Sequence, residues 1–418
     1  MDPNSKIRIN RSTVTKNPLA KQINRVVESG NCTGCGACAL LSPGVEMKLD
    51  GKGYMRPNVD LDLVDVSRMS ATKFKQVCPG VGIRARSAVP GGKVDPVVGP
   101  YFSAWQSYAL DENTRHAGSS GGVLTALTSW MLEQGKYSEF VGARAAPEAP
   151  SRTVPVRIMT RAEALESAGS RYGPVANASL FQAEAGQGFI GKPCEASAVR
   201  QLLESSQSPE IGPIVLSFFC AGTPSQTATD ALAEEIVGKR AKIASLKYRG
   251  DGWPGRFMVR TADGRSGWRS YEESWGQTLG RQLQTRCKLC VDGTGQDADV
   301  SVGDFWNVDG RGFPLFEDDG GNSVAIARTQ RGHQLLVEAA AEGIIALDQV
   351  DLSRLTVIQP LQRDRMSTIP GRLLGRRLAG KPVPRYTGYG FVRRIVRNPK
   401  GNLRAVVGTW LRTVQGRM

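Results

Sequence analysis

Short apolar runs alternate with segments of helical periodicity through the middle of this 418-residue chain. Buried strands are predicted at Phe140–Arg144, Phe189–Gly191, Ile214–Phe219, Phe257–Thr261, Asp299–Val302 and Ser323–Arg328. Apolar residues that recur every three to four positions predict helices at Gly121–Glu133, Ser225–Val237 and Gly332–Ala341. Strands that alternate with helices are typical of α/β structure, so this region is predicted to be a mixed α/β (α+β) core.

The same pattern divides the chain into four segments. Residues 1–30 form a polar arm without a clear period, residues 31–95 carry many turn residues and little strand or helix signal, residues 96–350 hold the α/β core, and residues 351–418 form a basic tail. No apolar stretch approaches the eighteen or so residues that would span a bilayer. The N-terminus has no run of signal-peptide type, so we expect a cytoplasmic protein in a reducing compartment.

The first four of the eight cysteines have the spacing of an iron-sulfur site. They form the run Cys32-x-x-Cys35-x-x-Cys38, with Cys78 forty residues later and followed by proline. Three closely spaced thiolates and a remote Cys-Pro are the ligand pattern of a 4Fe-4S cluster in bacterial ferredoxins. The alternative is a structural zinc site, which usually pairs two Cys-x-x-Cys hairpins. Because Ser42 stands where a second ferredoxin cluster would have a cysteine, this ferredoxin-like segment is predicted to hold one cluster.

The other four cysteines are spread over three segments. Cys194 and Cys220 each follow a predicted strand, and Cys287-x-x-Cys290 forms a pair. Ligands of open α/β sheets gather at the carboxyl ends of the strands, so these cysteines are predicted to converge on a second 4Fe-4S cluster. The alternatives are a redox-active pair, a zinc site, or a small core residue at Cys220.

A glycine-rich segment precedes the first predicted helix of the core. It consists of Ser119, Ser120, Gly121 and Gly122, where free backbone N–H groups would face an anion. Such a site suits the phosphates of a nucleotide cofactor, although serine-capped helices without a ligand are common. His116 adjoins this segment and is one of two histidines, so it is a candidate proton donor, with a capping or solvent-exposed role as the alternative.

The net charge of +15 is concentrated at the C-terminal end. Residues 361–418 contain fourteen Lys or Arg residues and one acid, a local charge of +13. Phe391 and Ile395 fall at helical spacing against arginines, which suits an amphipathic segment on an anionic membrane surface or an acidic partner. A helix packed on its own protein is the alternative. Nucleic acid is disfavoured, because no base-stacking or groove-reading motif accompanies the charge.

These motifs together resemble the coenzyme F420 hydrogenase/dehydrogenase beta-subunit family, whose relatives include chlorophyll(ide) reductases and proteins associated with polysaccharide synthesis. The matching pieces run in order over residues 30 to about 330. They are Cys32-Thr-Gly-Cys-Gly-Ala-Cys38, Cys78-Pro-Gly, Ser119-Ser-Gly-Gly, Ala168-Gly-Ser-Arg-Tyr172, Gly191-Lys-Pro-Cys194, Phe219-Cys-Ala-Gly222, Tyr248-Arg-Gly-Asp-Gly-Trp-Pro-Gly255, and Cys287-x-x-Cys290-x-Asp292 leading to Ala298-Asp-Val-Ser-Val-Gly-Asp304.

The resemblance implies a core that binds FAD, one or two 4Fe-4S clusters, and two-electron chemistry at the flavin. On this chain it implies that residues 119–122 and Arg171 hold the flavin and that Lys192 faces it as a second catalytic candidate. Asp304 follows a predicted strand end and is a candidate cofactor-binding residue of the pocket, with a simple turn of the chain as the alternative. The glycine-punctuated loop at 249–253 is either a substrate or flavin contact or a surface turn.

Electrons are then expected to pass from a ferredoxin or the deazaflavin coenzyme F420, through clusters and flavin, to an organic substrate such as a polysaccharide precursor. A flavin suits this role because it exchanges hydrides and also single electrons. Two alternatives stay open: an electron-transfer beta subunit of a larger hydrogenase or dehydrogenase complex, and a tetrapyrrole (chlorophyllide-type) reductase.

Overall fold

The N-terminal part of the computed structural model is a small unit of helices and hairpins. The structure describes residues 17–205, 212–306, 320–350, 352, 355 and 358–418. The elements of this unit are α1 (Pro18–Glu28), β1 (Val45–Leu49), β2 (Met55–Val59), α2 (Arg68–Val77), β3 (Gly82–Arg84), β4 (Lys93–Asp95) and β5 (Gly99–Tyr101). β1 and β2 pair antiparallel, as do β4 and β5.

Helix α1 replaces the last part of the predicted polar arm. Asn17 caps it by accepting a hydrogen bond from the Ala20 N–H at 3.0 Å, and Leu19 and Ile23 are buried beneath it. The predicted arm is therefore wrong for residues 18–28, and the first sixteen residues lie outside the described ones. The apolar residues of α1 span only three helical turns and have basic residues between them. This pattern is too short to show a clear helical period in the sequence. The segment at 31–95 likewise has more regular structure than predicted.

The core is an eight-stranded mixed sheet covered by helices. Its elements are β6 (Ser103–Ala109), α3 (Glu112–Ala117), α4 (Val123–Glu133), β7 (Glu139–Ala146), β8 (Ala149–Ile158), α5 (Arg161–Glu166), β9 (Gln187–Gly191), α6 (Pro193–Ser205), β10 (Ile214–Phe218), α7 (Gln226–Val237), β11 (Ile243–Lys247), β12 (Phe257–Thr261), β13 (Ser266–Arg269), α8 (Thr285–Lys288), β14 (Val300–Asp304), β15 (Ser323–Ala327), α9 (Gln330–Ala341) and β16 (Ile345–Gln349). The strand order is β16-β6-β15-β14-β10-β9-β7-β8. The predicted mixed α/β class is confirmed.

The centre of this sheet is parallel and its flanks are antiparallel. β7, β9, β10 and β14 run parallel, whereas β15, β6 and β16 on one side and β8 on the other are antiparallel. Neighbouring parallel strands need a crossover connection. Helix α6 connects β9 to β10, and a longer excursion that contains α7 connects β10 to β14. A separate three-stranded sheet of β11, β12 and β13 lies within that excursion.

Every predicted strand and helix of the core is present, with small differences at the ends. Helix α4 begins two residues later than predicted, because Gly122 adopts a left-handed conformation with φ 71° at its N-cap. The side chains of Leu127 and Met131 on this helix are fully buried against the sheet. Burial of such alternating apolar faces is the main stabilising contribution to the core.

The C-terminal part is a helical unit that contacts the N-terminal one. It consists of α10 (Pro360–Leu378), β17 (Arg385–Thr387), α11 (Phe391–Arg397) and α12 (Pro399–Val414). β17 pairs parallel with β3, and the Arg376 side chain donates a hydrogen bond to the Ser29 carbonyl. Among the described residues, no helix is long and apolar enough to cross a membrane.

Candidate redox site

The first four cysteines surround one apolar cavity of the N-terminal unit. Cys32, Cys35, Cys38 and Cys78 line it together with apolar side chains from α1, α2 and the β1–β2 hairpin. The loop that carries the first three turns sharply at Gly36, where φ is 92° and an added Cβ would lie 2.9 Å from a backbone oxygen. We call these four residues the first quartet.

The first quartet is costly to bury as thiolates without a cation. Burial raises the pKa of Cys35 to about 11, and burial together with neighbouring thiolates raises the pKa values of Cys38 and Cys78. None of the eight cysteines forms a disulfide. Cationic iron would offset this cost and hold the sulfurs deprotonated, so the donor set fits a thiolate-bound cluster.

The second quartet, Cys194, Cys220, Cys287 and Cys290, is also brought together. Cys194 begins α6, Cys220 follows β10, and the pair lies at the end of α8. Burial raises the pKa of Cys220 to about 12, and the charges of Cys287 and Cys290 contribute to this shift. The Thr223 N–H donates a hydrogen bond to the Cys287 sulfur at 3.3 Å. The predicted convergence of three chain segments is therefore present.

Within the described residues, no three His, Cys, Asp or Glu side chains surround a common ion position. A 4Fe-4S cluster does not require such an arrangement, because each cysteine ligates a different iron atom. A single zinc ion would require it. The role of the eight cysteines as cluster ligands stays a prediction.

The two quartets adjoin each other. Burial and the charge of Glu195 raise the pKa of Cys194, and the Cys35 thiolate contributes in the same direction. Lys192 lies at this junction: its Nζ donates to Glu195 Oε1 at 2.7 Å and to the Val175 carbonyl at 3.0 Å. The resemblance implied that Lys192 faces a flavin, whereas the structure pairs it with a fully buried carboxylate.

Arg286 is a buried cation beside the second quartet that the sequence analysis missed. Its guanidinium is 1% exposed and donates to the Pro79 carbonyl, directly after Cys78, at 3.1 Å. The charges of Cys290, Cys194 and Cys287 act on it, and it lies 5.4 Å from the ring centroid of Tyr386. The only signal in the sequence was its position next to a Cys-x-x-Cys pair.

A cleft of about 1020 Å³ opens on another part of the core. Its lining includes His116 from α3, Trp253 and Arg256 from the loop before β12, and Tyr271 after β13. The His116 carbonyl accepts a hydrogen bond from the Gly252 N–H at 3.0 Å. Of the two catalytic candidates, His116 therefore lines this cleft and Lys192 does not.

Arg249 lies behind the cleft, in contact with two of the residues that line it, Trp253 and Tyr271. It is 3% exposed and its Nη1 donates to Asp304 Oδ2 at 2.6 Å. Its guanidinium carbon lies 4.8 Å from the ring centroid of Trp253 and 5.1 Å from those of Tyr271 and Trp306. The surface-turn alternative is therefore wrong for Arg249. Asp304 pairs with Arg249 and is not among the residues that line the cleft, so its role at the pocket stays a prediction.

The residues that are predicted to bind flavin phosphates form hydrogen bonds with other residues of the protein. The Ser120 hydroxyl donates to the Asn322 carbonyl at 2.6 Å, the Gly121 N–H donates to Ser323 Oγ at 3.0 Å, and Ser119 Oγ accepts from the Ser170 N–H. These bonds anchor the start of α4, capped by Gly122, to β15 and to the 168–172 motif. The phosphate role stays a prediction.

The Arg171 side chain also forms hydrogen bonds within the protein. Its guanidinium donates to the carbonyls of Pro150, Arg152 and Leu246, each at 2.9 Å. These contacts join β8 to β11. Its predicted contact with a cofactor is not tested by them.

The Arg249–Asp304 ion pair behind the cleft and the second quartet lie at the same edge of the sheet. Phe218 on β10 stands opposite Val302 on β14, and Cys220 and Asp304 each follow two residues later. Neighbouring strands lie about 4.8 Å apart, so the Arg249–Asp304 ion pair is one strand away from the start of the second quartet. Cleft, second quartet and first quartet therefore follow one another through the molecule.

Comparisons with known proteins establish the family of this chain. The family models for the N-terminal and the C-terminal part of the coenzyme F420 hydrogenase/dehydrogenase beta chain match residues 104–182 and 186–353. The coenzyme F420 hydrogenase beta subunit of Methanococcus voltae is 24% identical over 68% of this chain and 99% of its own length. The coenzyme F420-dependent sulfite reductase of Methanocaldococcus jannaschii is 22% identical over 82% of this chain, which spans about half (51%) of that relative.

A solved structure has the same fold. One polypeptide of the F420-reducing NiFe hydrogenase complex from Methanosarcina barkeri superposes with a TM-score of 0.53 at 21% identity, over 71% of this chain and all of that one. The family models cover the motifs from Ser119 to Asp304, whereas the first quartet lies before residue 104, where the first model begins to match. This chain belongs to the coenzyme F420 hydrogenase/dehydrogenase beta-subunit family.

Proposed function

We propose that this chain is an electron-transfer oxidoreductase subunit that exchanges electrons with coenzyme F420 at the cleft and passes them through two 4Fe-4S clusters. The observation that carries the proposal is the succession of cleft, second quartet and first quartet along one path. The matched relatives are named as F420 hydrogenase beta subunits and an F420-dependent sulfite reductase. They favour the beta-subunit alternative over a reductase of a polysaccharide precursor or a tetrapyrrole.

The cleft has the composition of a site for a planar redox cofactor. Its volume is at the upper end of the range for ligand sites, and FAD is the resident flavin that we propose. A bound flavin exchanges hydrides with a partner molecule and single electrons with iron-sulfur clusters. The rings of Trp253 and Tyr271 supply flat apolar walls. Arg115, Lys247 and Arg256 supply positive charge for an anionic cofactor, next to three acids of the lining, Glu112, Asp251 and Glu272.

The N-terminal unit is proposed as a ferredoxin-like carrier next to the second quartet. Cys35 is buried and the other seven cysteines are half-buried, which limits the access of solvent to the sulfurs. The Thr223 N–H donates a hydrogen bond to the Cys287 sulfur. Arg286 holds one positive charge between the quartets. The first quartet is the outer end of the path, where a ferredoxin or the catalytic component of a larger complex would receive or deliver electrons.

The first test is the composition and reactivity of anaerobically purified protein. We expect about eight irons and one flavin per chain, and bleaching of F420 with a one-electron dye as partner. If protein with its full content of iron and flavin leaves F420 unchanged, the proposal is contradicted, and reduction of an organic substrate becomes the favoured alternative. Zinc without flavin would exclude the oxidoreductase function altogether.

Trp253→Leu is expected to weaken F420 binding about two- to tenfold, because an aromatic contact contributes about 0.5–1.5 kcal/mol beyond area burial. The measurement is the Kd for F420 at unchanged iron content. Trp410→Leu is the control, since Trp410 is an exposed tryptophan of α12 and does not line the cleft. Loss of flavin with unchanged F420 affinity would assign Trp253 to the flavin instead.

Arg286→Gln is expected to make the reduction potential of the second cluster more negative, because a buried positive charge favours the additional electron. Arg286→Lys keeps the charge and should restore most of the potential. The measurement is a redox titration followed by electron paramagnetic resonance. Arg376→Gln is the control: Arg376 is 4% exposed and bonds to the Ser29 carbonyl. An equal shift in that control would contradict a charge effect at the cluster.

A further inference from the structure

Helix α12 buries small and polar side chains and exposes large apolar ones. Asn402, Thr409 and Thr413 are between 1% and 8% exposed. The exposed apolar residues, between 41% and 66% exposed, are Leu403, Val407, Trp410, Leu411 and Val414. An ordinary surface helix shows the reverse distribution, with its apolar stripe toward the core. The outer face of α12 is therefore left without an apolar partner within the described residues.

The inner face of α12 is complete without these residues. α12 crosses α10 so closely that an added Cβ on Gly371 would lie 2.3 Å from the Asn402 carbonyl oxygen, and one on Gly375 would lie 2.2 Å from that of Val406. Asn402 Oδ1 accepts the Gly371 N–H at 3.0 Å, and its Nδ2 donates to the Ser367 carbonyl at 3.0 Å. Small residues spaced four apart allow two helix backbones to approach this closely.

The exposed apolar residues of α12 form one continuous stripe. Their positions follow the spacing i, i+4, i+7, i+8 and i+11, which places them along one side of a helix. Val392 and Val396 on α11 add side chains that are 77% and 72% exposed. Lys400 and Arg404 fall on the border of the stripe at helical spacing, and both are exposed.

The charge around the stripe is strongly positive. Residues 361–418 carry a local charge of +13 with a single acid, Asp364, which pairs with Arg363. The exposed arginines Arg393, Arg397 and Arg412 stand on the same two helices as the stripe. The surface is therefore complementary to a partner that offers negative charge around an apolar region.

We propose that α11 and α12 form a docking surface for an anionic lipid membrane. A membrane supplies both complements in one plane: anionic headgroups meet the basic border, and the acyl region accepts the leucine, valine and tryptophan side chains. An acidic protein surface would neutralise the arginines and leave the stripe in water. The attachment is peripheral. The surface lies beyond residue 353, where the family match ends, and does not depend on the substrate of the cleft.

The test is cosedimentation of the full chain with vesicles. Vesicles of about one third phosphatidylserine in phosphatidylcholine are expected to bind the protein at least tenfold more tightly than pure phosphatidylcholine, and added salt to weaken binding. The triple variant Leu403→Ser, Val407→Ser and Leu411→Ser is expected to lose at least tenfold in binding, and Lys400→Glu with Arg404→Glu to do the same. All of these positions are exposed, so folding should be retained.

The matched control replaces three other exposed apolar residues with serine. Leu110, Met159 and Val337 are 48%, 56% and 44% exposed and lie on other elements. This control should bind anionic vesicles like the unchanged protein. Brominated lipids should quench tryptophan fluorescence, and Trp410→Phe should remove that quenching.

Three results would overturn the proposal. They are unchanged binding by the apolar triple variant, equal binding to neutral vesicles, and retention on polyglutamate without vesicle binding, which would assign the surface to an acidic protein. Iron content and F420 bleaching, measured on the same preparations, report separately on the proposed electron transfer.

Discussion

Replacing Cys35 with alanine is expected to halve the iron content of anaerobically purified protein, from about eight to about four irons per chain. Cys35 is buried in a cavity whose other lining is mostly apolar, so no neighbouring group can replace the lost thiolate. The cluster of the second quartet should remain. The measurement is iron and acid-labile sulfide per chain with the visible spectrum. Cys194→Ala should remove the other half.

Ser42→Ala is the matched control for Cys35→Ala. Ser42 is 3% exposed, and its hydroxyl accepts a hydrogen bond from the Asp65 N–H at 2.8 Å. Its replacement removes a buried hydrogen bond worth about 0.5–1.5 kcal/mol but no cluster ligand. Iron content should therefore stay at the level of the unchanged protein. Loss of iron from this variant would show that the fourth ligand of the first quartet is misassigned.

Lys192→Met is expected to lower the free energy of unfolding by about 3–5 kcal/mol, because it leaves the Glu195 carboxylate buried without its cation. Lys192 is 7% exposed and Glu195 is fully buried. Removing one partner of a buried ion pair lowers the free energy of unfolding more than replacing both partners does. The measurement is the urea dependence of unfolding under anaerobic conditions.

The double variant Lys192→Met with Glu195→Gln separates the pair from other roles of Lys192. It removes the uncompensated charge together with its cation, and the amide oxygen of glutamine can still accept one of the backbone N–H groups of Asn177 and Lys192 that the carboxylate now accepts. It should therefore recover most of the lost stability. If Lys192 instead faces a flavin, the single variant would lose flavin while its unfolding stays unchanged.

Arg249 shows where a local pattern is insufficient. Within its glycine-punctuated loop, the sequence was compatible with a surface turn or with a ligand contact. The structure buries it because Tyr271 and Trp306, from two distant chain segments, converge on its guanidinium together with Trp253 of its own loop. No window around residue 249 contains that information.

Helix α12 shows that tertiary packing also decides which face of a helix is exposed. The sequence predicted a basic amphipathic tail and left open whether its apolar residues pack inward. The tight crossing at Gly371 and Gly375 admits only the small side chains of α12, so the large ones are turned outward. The orientation of an amphipathic helix is decided by the surface that it packs against.

By itself the sequence determined what depends on neighbours along the chain: the apolar periods that specify the strands and helices of the core, the cysteine spacing, the basic C-terminal charge and the family. These features follow from side-chain direction and backbone preference over a few residues. Only the tertiary structure decided that the two quartets adjoin, that Lys192 pairs with Glu195 at their junction, and that Arg286 reaches the carbonyl of Pro79 across 207 positions. Such contacts depend on how distant segments pack, and no local pattern encodes them.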